Sequence, residues 1–344
     1  MPPIPVQPSA LAQAALGGAT HAHYGDIDEQ AAALTGWHQR YLQLSRGRFD
    51  GTVQRLQLDG VGLFIEDLHQ SVHQTGWVRP DVFAIGVPLA LEGDAQFCGR
   101  PANGDTLHVF SGRDGFEFRS PQRHVMIGIE MDRPLFDAHI AQAAGEHAPA
   151  DRAGLHQADP AVLGALRGFL SDLFQSAGPV ADHGAPAHAP LRKQVRTQLL
   201  DLIALALAPR EASAPERGAR ATAAQSALVV RATSYVSSRL GDPPSVGEMC
   251  EALGVSRRTL QSAFQVSWGM GPLAWLTTLR LNAVRRRLKC AASVTEAATE
   301  FGFWHFGHFA GDYQALFGEC PSHTLRRHRH PSGHLSSHPL SHTG

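Results

Sequence analysis

Between Val53 and Glu130 the apolar residues come in short runs broken by Gly, Pro and Asp, whereas past Ala161 they recur every three or four positions. The first texture predicts strands and the second predicts helices. Strands are expected at Val53–Leu58, Gly62–Asp67, Val82–Pro88, Ala95–Cys98, Thr106–Phe110, Phe116–Arg119 and Val125–Met131. Many short strands at this spacing imply an antiparallel sandwich or barrel. Upstream, Leu34, Trp37 and Tyr41 fall at helical spacing and predict a helix over Glu29–Leu44. Downstream, Asp159-Pro160 supplies a cap and a first-turn proline for a helix over Ala161–Gln175. Its apolar face is Val162, Leu163, Leu166, Phe169, Leu170, Leu173 and Phe174. A helix over Leu191–Leu207 shows Leu191, Val195, Leu199, Leu202 and Leu205. It can pack on the β domain, on its neighbour helix or on a second copy in a homodimer, and periodicity leaves all three open.

One small pattern then occurs twice. Ser245-Val246-Gly247-Glu248 and Ser293-Val294-Thr295-Glu296, 48 residues apart, are both S-x-x-E capping boxes. Each opens a short helix that ends in an apolar residue and Gly, Leu253-Gly254 and Phe301-Gly302. Gly accepts the positive φ of a sharp turn. A second helix follows each turn, anchored by Leu260 and Phe264 in the first copy and by Phe309 and Tyr313 in the second. Helix, Gly turn, helix is the plan by which a polar helix face enters a major groove.

Ahead of the first copy, Val229–Leu240 predicts an opening helix, stopped by Gly241-Asp242-Pro243-Pro244. In Arg257–Gln265, Leu260, Ala263 and Phe264 fall inside while Arg258, Gln261, Ser262 and Gln265 fall outside. Arg can pair bidentately with guanine and Gln with adenine, so this face can read bases. Arg257, at the edge, suits a phosphate. Between the copies, Pro272–Lys289 predicts a helix about 27 Å long with a buried stripe of Leu273, Leu276, Leu279, Ala283, Val284 and Leu288. A spacer of that length can set two reading helices about one DNA turn, roughly 34 Å, apart. Arg280, Arg285, Arg286, Arg287 and Lys289 are divided between phosphate contacts and salt bridges, with Arg285 assigned to DNA. In the second reading helix, Phe306–Phe317, the expected inward residues are Phe306, Phe309, Tyr313, Leu316 and Phe317. Gly307, His308, Gly311, Gln314 and Ala315 face out, and His305, His308 and Gln314 are its DNA candidates. With no Lys or Arg this helix is expected to position the protein, the first helix carrying most base readout.

Charge agrees with this division. The net charge of −1 hides a balance of +5 over 225–330 against −6 elsewhere. A basic C-terminal third beside an acidic remainder fits one nucleic-acid-facing domain and one that is not. Cys98, Cys250, Cys290 and Cys320 are scattered without C-x-x-C spacing, which reads as reduced thiols in a cytoplasmic protein rather than a zinc site. No apolar run reaches membrane-spanning length. The first twenty residues lack Lys and Arg, so no secretory signal is expected.

Twenty histidines raise a metal question. The β region lacks the His-x-His with carboxylate and later His of a metal cupin enzyme, although His69 and His73 share a face. The tail series His328, His330, His334, His338 and His342 is interrupted by Pro331, Gly333 and Pro339, so a disordered tail is expected. No nucleophile elbow, phosphate loop or dinucleotide fingerprint occurs, and neither a catalytic residue nor a metal ligand is assigned. Trp77, Phe83, Phe97, His108 and Phe110 are candidates to line a small-ligand site, and β-core packing explains each equally well.

Ser256-x-x-x-Leu260-x-x-x-Phe264, the Arg280–Leu288 helix and Gly302-Phe303 through Phe317-Gly318 to Pro321-Ser322 resemble the AraC/XylS family of transcription regulators. The resemblance implies monomeric docking of two helix-turn-helix units on double-stranded DNA and activation of RNA polymerase under a small-molecule effector. It also implies a cupin-like N-terminal domain. SRRTLQSAF (Ser256–Phe264), RLNAVRRRL (Arg280–Leu288), GFWHFGHFAGDYQALFG (Gly302–Gly318), Trp37-His38-Gln39, Phe49-Asp50-Gly51 and Phe83–Pro88 are similar to the ethanolamine-operon regulators. That branch implies ethanolamine as effector together with adenosylcobalamin, and no other cofactor. The expected fold is therefore α+β: a β-sandwich or cupin-like sensor domain with flanking helices, plus an all-α domain whose two helix-turn-helix units are joined by a linker helix. Residues 1–25 read as a mobile tail, 26–208 as the effector-sensing domain and 209–224 as a linker. Residues 225–328 read as the DNA-binding domain and 329–344 as a disordered His-rich tail. Two other readings stay open: a metal-dependent cupin enzyme fused to a DNA-binding module, and a DNA-binding protein without an effector.

Overall fold

The computed structural model describes residues 18–143, 153–177, 189–208 and 219–329. The chain starts with β1 (Thr20–Tyr24), α1 (Ile27–Ala33) and β2 (Trp37–Gln43). There follow β3 (Gly51–Leu58), β4 (Val61–Leu68), β5 (Val72–Val78), β6 (Val82–Glu92), β7 (Ala95–Phe97) and β8 (Arg100–Ala102). Next come β9 (Thr106–Phe110), β10 (Phe116–Arg119), β11 (Arg123–Asp132), α2 (Arg133–Ala143), β12 (Gly154–Gln157), α3 (Pro160–Ser176) and α4 (Ala189–Ala206). The C-terminal elements are α5 (Ala219–Ser237), α6 (Val246–Leu253), α7 (Arg257–Trp268), α8 (Pro272–Leu288), α9 (Val294–Glu300), α10 (Phe306–Phe317) and α11 (Pro321–Arg329).

The strands form two antiparallel sheets, in the orders β1-β3-β4-β11-β6-β9-β12 and β2-β5-β10-β7-β8. Alternation along β6 and β9 explains the layering. Phe83, Ile85, Val87, Leu107 and Val109 pack under α2, α3 and α4, while Val82, Ala84, Phe97, Phe110, Phe116 and Phe118 fill the space between the sheets. The larger sheet is thus buried on both faces, which is why its central strands read as continuous apolar runs. Within the larger sheet Gly128 of β11 makes room for its cross-strand neighbour on β4, since a Cβ there would fall 2.1 Å from the Phe64 ring. The stripe on α4 is occupied within the chain: Val195, Leu199, Leu200 and Ile203 are buried with α3 and the sheet, and Leu205 is left exposed.

The N-terminal reading needs correction in three places. Glu29–Leu44 is not one helix: α1 ends at Ala33, and β2 runs along the edge of the smaller sheet. Trp37 and Tyr41 lie four apart, a spacing that shares a face in a strand as well as in a helix, and Gly36 at φ +92° breaks the element between. Residues 20–24 are no tail but pair with β3 in register from Thr20↔Arg55 to Tyr24↔Gly51. Residues 219–224 are not linker but the first turns of α5, which begins ten residues before the predicted opening helix at Val229. The remainder of the predicted tail (1–17), of the linker (209–218) and of the His-rich tail (330–344) lies outside the described residues.

Two helical cores make up the C-terminal part. One gathers Val229, Ala232, Val236, Met249, Leu260, Phe264, Trp268, Trp275 and Leu276 from α5 to α8. The other gathers Leu281, Val284, Leu288, Phe309, Tyr313 and Phe317 from α8 to α10. Helix α8 supplies both, so it is buried on two sides and fixes each half against the other. Leu273, placed in its buried stripe by periodicity, is instead 66% exposed, because it lies in the first turn before α8 enters the core.

Candidate nucleic-acid interface

Local chemistry dictates the first helix pair. Glu248 N donates to Ser245 Oγ at 3.2 Å and Ser245 N donates to Glu248 Oε2 at 2.7 Å, closing the capping box. Gly254 ends α6 in the left-handed region at φ 67°, and Ser256 caps α7 by accepting from Thr259 N at 3.1 Å. The second pair repeats the plan with one change. Ser293 Oγ accepts from Glu296 N at 3.0 Å, but the Glu296 carboxylate takes Ala292 N and Arg287 rather than closing a box onto Ser293.

With Leu260, Ala263 and Phe264 buried, Arg257, Arg258, Gln261, Ser262 and Gln265 are left exposed, as the wheel predicted. Arg257 reaches back beside Gly247 at the start of α6. The Gln261 amide lies against Gly271, where a Cβ would come within 2.7 Å. Ser262 accepts from Gln225 of α5 at 3.4 Å and Val266 O accepts from Gln96 of β7 at 3.0 Å, so the C-terminal half of α7 touches the N-terminal domain and α5 while its N-terminal half stays open. On α10, His305, His308 and Gln314 are exposed, with Gln314 beside Arg48 and Arg326 in a small cleft. Phe306, expected inside, is 42% exposed, and Trp304 before it is 70% exposed. Phe306 was missed because an aromatic residue in a helical pattern reads as core, and Trp304 because it lies in the loop before the predicted helix, where no periodicity applies.

The basic residues at the end of α8 are engaged within the chain. Arg285, assigned above to DNA, has only 2% of its side chain exposed and pairs with Asp26 at 3.1 Å and Glu319 at 3.5 Å, over the Phe317 ring. Arg286 pairs with Asp28 at 2.9 Å and also donates to Tyr41 O. Lys289 reaches both Asp26 and Asp28, at 2.6 and 2.7 Å, while Arg287 holds Glu296 and Glu300 of α9. Arg280 donates to Phe301 O and Gly302 O and so fixes the second turn. Burial alone would push the Asp26 carboxyl up; the Arg285 and Lys289 charges overcome it and hold the acid well below the usual carboxylate range. Next to this cluster the Asn282 amide bonds both backbone groups of Gln43 at 3.0 Å, covering the open edge of β2. Gln43 Nε2 and Gly47 N both donate to Leu316 O at the end of α10. The sequence signal for Asp26 was its place before Ile27-Asp28-Glu29, where it caps α1.

The effector candidates fall in three different places. Phe83 stacks on Phe136 under the helices, and Phe97, His108 and Phe110 are packed into the space between the sheets. Trp77 alone borders an opening: 52% exposed and stacked on His38, it lines a groove of about 1040 Å³ between the smaller sheet and α5. Arg40, Arg100, Asp114 and Glu117 supply its charge, and Val230 and Ser226 of α5 its far wall. Glu117 also bonds His73 at 2.9 Å, which carries its carboxyl below the usual range although burial works the other way. Beyond Trp77, sequence offered no signal for this groove, because its residues come from β2, β5, β10, α5 and the turns beside β8 and β10. Among the described residues no group of three or more His, Cys, Asp or Glu side chains could hold a metal ion. No helix among them is long and apolar enough to cross a membrane.

Comparison with known proteins bears on the helical part. Residues 249–327 match the family described as "Helix-turn-helix domain". The chain is 37% identical over 103 residues to the "Probable thc operon regulatory protein" of Rhodococcus erythropolis, covering 29% of this chain and 31% of that one. It is 34% identical over 103 residues to the "XylDLEGF operon transcriptional activator 3" of Pseudomonas putida, again 29% of this chain and 31% of the relative. The matched region thus spans about a third of the length of these curated relatives. A solved structure, a probable AraC family transcriptional regulator from Rhodopseudomonas palustris, is 34% identical, covers 30% of this chain and 97% of its own, and has a TM-score of 0.28.

Proposed function

We propose that this chain, an AraC/XylS-type regulator by its C-terminal helix-turn-helix domain, is a transcription activator that inserts α7 and α10 into successive major grooves of duplex DNA. The observation that carries this reading is the exposed row of Arg258, Gln261 and Gln265 on a helix held by its Ser256 cap, the left-handed Gly254 turn before it and a buried opposite face. Arg258 and Gln261 read base edges, Arg257 binds phosphate, and His305, His308 and Gln314 steady the second helix on the duplex. Arg285 is withdrawn from the DNA face. RNA polymerase is the protein partner of an activator of this kind.

The groove beside Trp77 is the proposed effector site. Its wall, α5, packs with its opposite face (Val229, Ala232, Val236) on α6 and α7, so a ligand there acts on the helix that carries the reading face. Control requires only that the ligand bind two arrangements of that helix unequally. Asp114 and Glu117 suit a small ammonium compound, in keeping with ethanolamine as effector acting together with adenosylcobalamin. In a thermal-shift series with each compound and with both, a folded-state ligand at a hundredfold excess over its Kd adds about 2.7 kcal/mol. A shift with both present supports this pair; no shift on protein that still binds DNA removes them.

Sequence selection from a random duplex library, using the full-length chain, tests the DNA reading. Arg258→Ala is expected to weaken the selected site by about 1–3 kcal/mol and to relax preference at one position. Arg257→Ala should instead weaken all sequences evenly and lower the salt dependence by about one counterion. Binding that is flat with salt, or equal for every sequence, would sink the reading.

A further inference from the structure

The two helix pairs share a backbone plan and differ in what they present. Helices α7 and α10 are both 12 residues long, with N-caps Ser256 and His305 and left-handed C-caps Gly269 and Gly318. On that register Phe306 stands where the first pair has Arg257, and Gly307 where it has Arg258. The loop from the turn glycine to the cap is one residue longer in the second pair. Phe303 packs inward on Phe309 with a ring separation of 5.1 Å, so the residue in excess is Trp304, which stands outside.

Among the described residues, nothing in the core calls for these two side chains. Phe306 and Trp304 lie outside the core formed by Leu281, Val284, Phe309, Tyr313 and Phe317. The glycines beside them are equally unexplained from within: a Cβ at Gly307 or Gly311 would meet nothing within 4 Å. Bare backbone on an open helix face suits close approach by an outside partner. The N-terminal residues of a recognition helix are the ones brought to base edges. In the major groove the apolar feature is the thymine C5 methyl, which aromatic and small apolar side chains contact.

Resting on the DNA-binding reading above, we propose that Phe306, flanked by Trp304, reads thymine methyl groups in the half-site of the second helix pair, with Gly307 and Gly311 letting the helix seat closely. The second pair is then a specificity element in its own right. It selects thymine by apolar contact where the first pair selects bases by hydrogen bonds.

The test uses the full-length chain and its best duplex from the random library, with each thymine replaced in turn by deoxyuridine, which lacks only the methyl. Burying one methyl predicts a loss of about three- to fivefold at one or two positions in a single half-site. Phe306→Ala should bind the thymine duplex more weakly and no longer distinguish it from the uracil duplex, and Phe306→Leu should keep part of the distinction. Arg258→Ala should leave the distinction intact. Specific binding that ignores the methyl, or a Phe306→Ala variant that still senses it, overturns the proposal while leaving the DNA reading standing. Absence of any sequence-specific binding by the unmodified chain overturns both. If Phe306→Ala keeps methyl sensing but loses activation in a transcription assay, the ring serves polymerase contact and the proposal is wrong.

Discussion

Asp26→Asn is expected to destabilise the contact between the two halves of the chain by about 3–5 kcal/mol, the usual cost of stranding one member of a buried ion pair. The substitution keeps a good N-cap for α1, where Asp26 Oδ1 accepts from Asp28 N at 2.9 Å and Glu29 N at 3.2 Å. It removes the charge that faces Arg285 at 3.1 Å and Lys289 at 2.6 Å, where the Arg285 and Asp26 side chains are 2% and 3% exposed. Glu319, at 3.5 Å, cannot replace it, being engaged with Arg327 and His323 as well. Denaturant unfolding followed by separate probes for the β domain and the helices should show the two transitions moving apart, because each half keeps its own core. Adding Arg285→Met should recover part of the loss, since an apolar pair avoids the stranded charge. A change below about 0.5 kcal/mol would mean that the cluster acts like an exposed ion pair. The sign with pH follows from the depressed carboxyl. The contribution of Asp26 is complete above the ordinary carboxylate range and is lost as acid drives the pH down toward its lowered folded value.

Arg285 also marks where the sequence stops being legible. An Arg-Arg-Arg-Leu-Lys run ending a helix looks the same whether it faces phosphates or carboxylates, and here its partner lies 259 residues earlier, at the very start of the segment that read as the sensor domain. Local signals carried further. Ser245-x-x-Glu248, Asp159-Pro160 and the glycines at 254, 302 and 318 act within one helical turn, and the elements they bound were placed within a residue or two. Strands with apolar alternation, such as Thr106–Phe110 and Phe116–Arg119, were also placed correctly. Val72–Val78 was not, because His73, Gln74 and Thr75 are polar and Gly76 looks like a turn. Gly76 is glycine because a Cβ there would lie 2.3 Å from His38 O on the neighbouring strand. Of the exposed face of α7, Arg257, Arg258, Gln261 and Gln265 were recoverable from the wheel alone. Phe306 was not, since periodicity cannot tell an aromatic residue that closes a core from one that stands just outside it.

The second large effect concerns His108, which is fully buried between the sheets. Its ring lies 4.6 Å from the Phe97 ring and 5.0 Å from the Phe118 ring, and neither ring nitrogen has a protein hydrogen-bond partner among the described residues. Burial, and then the nearby His124, pull its pKa down to about 3, so it is neutral at physiological pH. An unfolded chain binds that proton near pH 6.5 while the folded chain refuses it until about pH 3. Between those values the unfolded state therefore holds more protons, and folding stability must fall as pH falls, by about 1.4 kcal/mol per unit from this group. Asp26, Glu117 and Glu319 have carboxyls held below their usual range, so they add to the loss only nearer pH 4 and under. His156 and His328 are also held below the ordinary histidine value by burial and contribute smaller shares. His108→Leu, close in size and apolar like its surroundings, should leave stability near pH 7.5 within about 1 kcal/mol of the parent. At pH 5 it should exceed the parent by about 2 kcal/mol, the integral over one and a half units. Urea unfolding at half-unit steps from pH 7.5 to 4.5 measures this directly. Parallel curves for the two proteins would show that His108 takes up its proton in the folded state, and would require the space between the sheets to be far more polar than Phe97, Phe110 and Phe118 make it.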